Sequence, residues 1–233
     1  MDVTLTLTVN AGLCVELAGV HIWIDALHDT PIPGFSTMTA GQIDAVLGGG
    51  LPRPDAVICT HCHGDHCSPA PLLRAQKLWP ETPFFLPERK LPRQITLSEA
   101  EEVYQIGAVT ARFLRLPHEK EIYRSVPHYG VELRAGGRAV LLPADCEVAS
   151  PALTPLLRGG ETDVAVLDFP WLTLPRGRAF VARTLRPAHT AVCHLPLPVD
   201  DPVGYRAAAE KAAALLPCPD VRLLTGFLQT EVF

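Results

Sequence analysis

The sequence predicts a layered α/β (α+β) fold, and three observations indicate it. Short apolar runs typical of strands recur along the 233 residues, and helix-like segments lie between them. Pairs of strands that alternate with helices pack as sheets covered by helices. The chain is 48% hydrophobic and 19% charged, and its length allows roughly 70% of the unfolded surface to be buried.

The predicted elements follow one another in a clear order. Residues 3–8 alternate apolar side chains with Thr, and the runs at 13–17 and 21–24 come after turns, which predicts a β-meander. Thr39 and Ser68 are suitable N-caps for two helices. Helices are predicted at 39–47, 69–78, 151–157 and 202–216. Further strands are predicted at 55–59, 83–86, 109–116, 131–133, 139–142 and 164–167.

Composition excludes several classes of protein. The 25 Asp and Glu outnumber the 20 Lys and Arg, so the net charge of −5 provides no basic field for general nucleic-acid binding. No apolar run reaches the roughly 18 residues of a membrane span, and residues 1–10 lack the pattern of a secretory signal. We expect a cytoplasmic protein that does not enter a membrane. No stretch resembles a linker, so we expect residues 1–233 to form a single domain.

The densest cluster of chemistry-bearing residues is Thr-His-Cys-His-Gly-Asp-His at 60–66, directly after the strand predicted at 55–59. Residues two apart on an extended segment point the same way, so His61, His63 and Asp65 can converge. Gly64 permits the turn that would bring in His66. Imidazole and carboxylate groups are typical ligands of Zn²⁺ and similar ions. The motif therefore predicts metal binding.

The cysteines leave a second interpretation open. The chain has seven, and Cys59, Cys62 and Cys67 flank the histidines. An odd number in this pattern fits metal or free-thiol chemistry better than a disulfide framework. A structural zinc held by these three cysteines and one His is the alternative, although no second pair follows at zinc-ribbon distance.

The run His61-Cys62-His63-Gly64-Asp65-His66 resembles the H-x-H-x-D-H signature of the metallo-β-lactamase-fold hydrolases. Other landmarks occur in the same order. Residues 10–12 and 21–25 resemble the opening hairpins, 116–118 the segment with the next His ligand, and 140–145 the strand before a bridging Asp, where many relatives read Gly-Asp. Residues 187–194 are similar to the late strand that ends in the last ligand. The resemblance implies a four-layer αββα sandwich of two mixed sheets flanked by helices.

The resemblance also implies a dinuclear metal site with a complete ligand set. It assigns one metal to His61, His63 and His118, the second to Asp65, His66 and His194, and the bridge between them to Asp145. The implied cofactors are two divalent metal ions, in the first place zinc, with manganese or iron as alternatives. His128 competes with His118 for the third histidine position, and we prefer His118 because it directly follows a strand-like run. Asp25 and Asp168 are expected to be supporting acids.

The function implied by the resemblance is hydrolysis. A metal-bridging hydroxide, oriented by Asp65, would cleave a small anionic ester, lactone or phosphodiester, as in the lactonase and phosphodiesterase branch of the superfamily. Trp171, Arg176 and Arg178 are candidates for contacting a substrate anion at the mouth of the site. The alternative is a non-catalytic or single-metal relative that acts as a binding or redox-sensing protein. The sequence leaves the substrate, the metal and the oligomeric state open.

Overall fold

Two mixed β-sheets pack face to face in the computed structural model, which describes residues 2–233. Helices cover the outer face of each sheet. The predicted four-layer αββα sandwich is therefore confirmed.

The first sheet is built mainly by the first half of the chain. Its strands are β1 (Val3–Leu7), β2 (Leu13–Leu17), β3 (Val20–Ile24), β4 (Ala56–Ile58), β5 (Phe84–Leu86), β6 (Ile95–Thr96) and the C-terminal β14 (Thr230–Val232). Their order is β14-β1-β2-β3-β4-β5-β6. The pairs from β14 to β3 are antiparallel, and those from β3 to β6 are parallel. The antiparallel meander is thus followed by parallel strands that are joined by crossover connections.

The second sheet repeats this plan. Its strands are β7 (Glu101–Ile106), β8 (Val109–Arg115), β9 (Tyr129–Ala135), β10 (Arg138–Leu142), β11 (Val164–Asp168), β12 (His189–Cys193) and β13 (Val221–Leu223). Strands β7 to β10 form an antiparallel meander, and β10 to β13 are parallel. Only β14 leaves the second half of the described chain to join the first sheet.

The helices are short. They are α1 (Ala40–Ala45), α2 (Pro69–Leu78), α3 (Thr154–Leu157), α4 (Pro170–Thr173), α5 (Pro175–Phe180) and α6 (Tyr205–Ala213). Thr39 caps α1 as predicted, since its hydroxyl accepts from the Gln42 N–H while the Gln42 side chain accepts from the Thr39 N–H. No helix in residues 2–233 has the length and apolarity that crossing a bilayer requires.

Three apolar clusters hold the layers together. The central one lies between the sheets and takes the inward side chains of both, such as Leu5, Val15, Phe113 and Val140. A second packs α1 and α2 on the first sheet around Trp23, and a third packs α3 to α6 on the second sheet. Alternate residues of β1 face inward, which is the burial expected for a strand with one side on the core.

Some elements differ from the sequence-based expectation. Strands β6, β7, β13 and β14 and helices α4 and α5 were not predicted, because they are short or carry mainly polar and exposed side chains. Ser68 occupies the N-cap of α2, but its hydroxyl accepts from the Asp29 N–H and contacts Thr30 instead of capping the helix. The loop before α2 is thereby tied to the loop after β3.

The loops that follow β4, β8, β10 and β12 lie at the same edge of the sandwich. Two backbone hydrogen bonds join the sheets there: the Tyr129 N–H donates to the Thr60 carbonyl at 2.9 Å, and the His194 N–H donates to the Asn10 carbonyl at 2.9 Å. Carboxyl ends of parallel strands are where α/β folds place their binding sites.

Gly12 marks a close approach of two backbones beneath this edge. A Cβ there would meet the Thr8 hydroxyl and lie 2.8 Å from the Asp25 carbonyl oxygen. We expect Gly12→Ala to lower the free energy of unfolding by about 1–3 kcal/mol, because the backbone must shift. Gly41→Ala is the matched control: no atom lies within 4 Å of its Cβ in α1, so it should stabilise by about 0.5–1 kcal/mol. Urea denaturation of both variants checks this, and equal effects would contradict it.

Candidate metal centre

The seven predicted ligands meet where the four loops converge. Five of them, His61, Asp65, His66, His118 and His194, are buried, and the other two, His63 and Asp145, are half-buried. Adjacent loops hold them by backbone contacts. The His118 segment bridges to Cys146, and the Glu119 N–H donates to the Asp145 carbonyl at 2.8 Å.

One group of ligand atoms comes from three histidines. His61, His63 and His118 each offer a ring nitrogen within 4.8 Å of the other two. Their ring centroids lie 4.7, 4.9 and 5.2 Å apart. This separation leaves room for an ion between the rings, since each metal–nitrogen bond is about 2.0–2.1 Å long.

A second group combines one carboxylate with two histidines. Asp65, His66 and His194 again bring their ligand atoms within 4.8 Å of one another. The Nε2 atoms of His66 and His194 face each other at 3.0 Å, and the Asp65 Oδ2 lies 3.6 Å from the His194 Nε2. Two ligands of one tetrahedral ion lie about 3.4 Å apart, so this spacing suits a shared cation.

Asp145 lies between the two groups and divides its oxygens between them. Its Oδ2 is 3.9 Å from the His61 Nε2 and 3.7 Å from the His118 Nε2. Its Oδ1 is 3.2 Å from the His66 Nε2 and 3.5 Å from the His194 Nε2. A carboxylate with one oxygen towards each group has the position that a bridging ligand needs.

Asp25 sets the orientation of the imidazoles. Its Oδ2 accepts from the His66 Nδ1 at 2.9 Å and from the Thr60 hydroxyl at 2.6 Å, and its Oδ1 accepts from the Thr60 N–H. Because the Thr60 hydroxyl donates to Asp25, it accepts from the His61 Nδ1 at 3.0 Å. Both histidines therefore carry a proton on Nδ1 and direct Nε2 towards Asp145. Sequence analysis anticipated Asp25 but missed Thr60, whose only signal is its place beside His61.

Three buried polar atoms of the centre lack hydrogen-bond partners within residues 2–233, which is expected of a site that fits divalent cations. The His61 Nε2, the His118 Nε2 and the Asp145 Oδ1 are buried and have no hydrogen-bond partner among the described residues. Buried polar atoms are rarely left unpaired, because each costs about 1–3 kcal/mol. Ions bound in the two groups would satisfy all three atoms.

Neighbouring charges in the centre shift the pKa values of His66 and Asp145. Burial opposes a charge on His66, but Asp145 and Asp25 outweigh this effect and hold the pKa of His66 well above its ordinary value. Burial likewise opposes a charge on Asp145, yet His66 and His194 keep the pKa of its carboxyl well below the ordinary range. The surrounding carboxylates thus favour positive charge at the place where a metal ion would bind.

His128 has the other position considered for the third histidine ligand. It is buried behind His61, with a ring distance of 5.1 Å, and belongs to none of the three ligand groups of the described chain. Burial lowers its pKa to about 3. The geometry favours His118 over His128, and the assignment of all seven ligands stays a prediction.

Several turns at the centre adopt left-handed backbone. Asn10, Asp25, Ala144 and His194 have φ values between 49° and 57°. An L-residue pays about 1–2 kcal/mol for this conformation. Ala144 has a φ of 49°, a conformation that Gly would adopt without a steric cost. Such strain is commonly retained where it places functional groups.

The cysteines do not form the alternative zinc site. No group of three ligand atoms within residues 2–233 includes a cysteine. Contact with Cys67, followed by burial, raises the pKa of the Cys62 thiol, and contact with Cys59 raises that of Cys67. Thiols with raised pKa values are poor nucleophiles, which does not favour a redox-responsive cluster.

The residues suggested for the site mouth have different roles. Trp171 lines the cavity at the centre, but Arg178 donates to the Leu172 and Thr173 carbonyls. Arg176 pairs with Glu119 at 2.9 Å. Asp168 also lines the cavity, and burial followed by the charge of Asp145 raises its pKa well above the ordinary value. The two arginines are thus engaged within the protein.

A cavity of about 440 Å³ opens onto both ligand groups. Its floor includes His63, Asp65, His118, Asp145 and His194. Small-molecule sites usually measure about 300–1,000 Å³, so the cavity can hold a small substrate beside the candidate ions.

Known proteins resemble this chain in sequence over one segment and in fold over almost its whole length. The model of the metallo-β-lactamase superfamily matches residues 25–80, which include the histidine motif. No curated protein matches the chain. The resemblance predicted from the motifs is confirmed at the level of the superfamily.

Solved structures share the fold over almost the whole chain. The chain resembles a possible metal-dependent hydrolase from Veillonella parvula with a TM-score of 0.73 and 16% identity, covering 99% of each chain. The metallo-β-lactamase-fold protein YhfI from Bacillus subtilis gives 0.69 and 14%, with 100% of this chain and 99% of that one covered. The metallo hydrolase Igni18 from Ignicoccus hospitalis gives 0.67 and 20%, with the same coverage.

Asp25 provides a test of how the ligands are positioned. Asp25→Asn keeps a side chain that tolerates the φ of 51° but removes the charge that orients His66. We expect zinc affinity to fall by about 10–100-fold without loss of the fold. Competition with a chromogenic chelator measures it. Asp55→Asn is the control, because the half-exposed Asp55 caps the His21 N–H outside the centre. Unchanged affinity in Asp25→Asn would refute the positioning role.

His28 generates a prediction about acid stability. It is buried, donates to the Val9 carbonyl from Nε2, and burial lowers its pKa to about 4. The unfolded chain takes up this proton near pH 6.5, so stability is present above that pH and falls as the pH decreases towards 4. In the metal-free protein, His28→Gln should reduce the slope of the unfolding free energy against pH by about 1.4 kcal/mol per pH unit. Urea titrations from pH 4.5 to 6.5 measure it, and an unchanged slope would contradict the assignment.

Proposed function

Because the chain has the metallo-β-lactamase fold, we propose that it is a metal-dependent hydrolase that cleaves a small anionic ester, lactone or phosphodiester. One observation carries the proposal: two groups of ligand atoms meet across the Asp145 carboxylate at the floor of a cavity. Two of the three structures compared are described as metal-dependent or metallo hydrolases, which supports the same reaction class.

The proposed cofactors are two divalent ions. His61, His63 and His118 would hold one, Asp65, His66 and His194 the other, and Asp145 would bridge them. Zinc suits this donor set, and manganese or iron are alternatives. Bound ions of this kind lower the pKa of water towards about 7 and polarise a carbonyl or phosphoryl oxygen.

The chain's own residues prepare the site for this chemistry. Asp25 and Thr60 keep Nδ1 of His66 and His61 protonated, so that each Nε2 stays free for coordination. Asp65 presents a carboxylate at the second group and is proposed to orient the attacking water as well as to bind. The burial of five ligands limits access of bulk water from any direction except the cavity.

Charge supports an anionic substrate. Two divalent ions held by two carboxylates and neutral imidazoles retain a formal surplus of about two positive charges. A negatively charged group of the substrate would offset it. Lys120 at the rim of the cavity adds a further cation.

The setting of the protein belongs to the same proposal. All seven cysteines are free thiols, which supports a reducing compartment such as the cytoplasm. We also propose that residues 1–233 act as one domain, since each sheet takes strands from one half of the chain and β14 joins the second half to the first sheet.

Metal analysis of the purified protein tests the proposal. We expect about two equivalents of zinc, manganese or iron per chain, and loss of about one equivalent in His61→Ala or His63→Ala. Hydrolysis should fall at least roughly 100-fold in both variants, because the attacking water loses its activation. His21→Ala is the control, since this half-exposed histidine contacts Glu16 and Asp55 outside the centre.

A screen of lactones, phosphodiesters and thioesters with the metal-loaded protein identifies the substrate class. A folded protein that takes up no metal from excess zinc, manganese or iron would refute the mechanism. It would leave a binding role for the same cavity.

A further inference from the structure

The cavity above the metal centre has an aromatic wall. Of the eight Phe, three Trp and four Tyr in the chain, four partly exposed rings line this one cavity: Phe35, Tyr123, Phe169 and Tyr205. Trp171 also borders it but is fully buried. The four rings come from four separate segments, so their convergence is a property of the fold and not of one sequence motif.

The rings contact the ligand imidazoles on both sides. Phe35 lies edge-on to His194 with centroids 4.4 Å apart. Tyr123 lies 4.6 Å from His63 and 5.1 Å from His118. A substrate whose reacting group reaches the centre would therefore place its next atoms between aromatic rings.

The far side of the wall is held in place by two adjacent acids. Asp200 accepts from the Ser36 hydroxyl at 2.7 Å and so anchors the loop that carries Phe35. Asp201 accepts from the backbone N–H groups of Gly204, Tyr205 and Arg206, at the start of α6. Tyr205 in turn packs against Phe169 at 4.9 Å.

Asn10 secures the same loop from below. Its side chain donates to the Ser36 carbonyl and accepts from the Ser36 N–H. The wall is thus preorganised, and a preorganised surface loses little entropy when a ligand binds.

The charges of the cavity admit one anionic group. Among the described residues that line it, Lys120 is the single Lys or Arg, and it is exposed at the rim. Arg176 outside it is paired with Glu119. The part of a substrate that lies along the wall meets aromatic rings and, among the described lining residues, no second Lys or Arg, so a further negative charge there is disfavoured.

We propose that this wall binds an aromatic ring of the substrate, so that the preferred substrates are anionic esters or phosphoesters with an uncharged aryl group next to the cleaved bond. The inference rests on the proposed hydrolytic function and specifies its substrate. Rings favour offset and edge-to-face contacts with other rings, which Phe35, Phe169 and Tyr205 can offer. A volume of about 440 Å³ accommodates such a ring together with a small anionic group.

Binding of phenylphosphonate and methylphosphonate tests the inference. The two anions share the group that would reach the centre and differ only in the ring. Ligand-observed NMR titration gives both dissociation constants for the zinc-loaded protein. We expect phenylphosphonate to bind about tenfold or more tightly, because the ring is removed from water. In the metal-free protein both bind more weakly, and the preference for phenyl remains.

Variants locate the preference on the wall. Tyr205→Ala and Phe169→Ala should each reduce the phenyl-to-methyl affinity ratio about threefold or more. Leu215→Ala is the matched control: it removes an exposed apolar side chain outside the cavity, and the ratio should not change. Circular dichroism verifies that each variant is folded.

The outcomes separate this inference from the proposed function. The aromatic subsite is overturned if the zinc-loaded and the metal-free protein both bind the two phosphonates equally, or if both bind neither. This holds even if metal binding and hydrolysis are found. A protein that takes up no metal refutes the proposed function. A phenyl preference that Tyr205→Ala abolishes in that same protein would still support the aromatic subsite.

Discussion

The candidate metal centre depends on the close packing of ring nitrogens and carboxylate oxygens in one buried place. Asp25 accepts from the Nδ1 of His66, so the His66 Nε2 faces the His194 Nε2 at 3.0 Å. Two ring nitrogens at this distance need a proton or a metal cation between them. The Asp145 carboxylate stabilises positive charge at this point. A bound divalent ion would supply more of that charge than a proton does.

The strand topology of the two sheets brings these residues together. Each begins as an antiparallel meander and continues as parallel strands, so that each sheet sends loops to one edge. The His61 motif comes from the first sheet, and His118, Asp145 and His194 come from the second. The apolar layer between the sheets sets their separation, and the backbone bonds from Tyr129 to Thr60 and from His194 to Asn10 lock the edge.

The candidate ligands and the aromatic side chains occupy different parts of the cavity above the centre. The floor carries the candidate ligands, whereas the wall carries aromatic rings together with Glu119, Lys120 and Asp168. Arg176 and Arg178, which sequence composition suggests for anion binding, instead stabilise Glu119 and two carbonyls of α4. The anionic substrate that we propose would therefore be recognised mainly through the centre, and selectivity would depend on the side chains that pack beside it.

The sequence by itself determined the layered fold and the chemistry of the ligands. Both are local properties: alternation in 3–8 and the capping residue Thr39 act within one element, and the motif at 61–66 places four candidate metal ligands within six residues. Polar or short elements such as β7 and β14 were not predicted. They are strands because they pair with a neighbouring strand, and their own sequence pattern does not indicate it.

Tertiary structure alone decided which distant groups face the motif. The strand-like run before His118 already favoured it over His128, and the packing of the strands brings His118 into the ligand group and leaves His128 outside it. The sequence left the role of Thr60, the engagement of Arg178 and the aromatic wall undecided. Each depends on contacts between residues far apart in the chain, whose geometry is set by the packing of two sheets and not by local sequence.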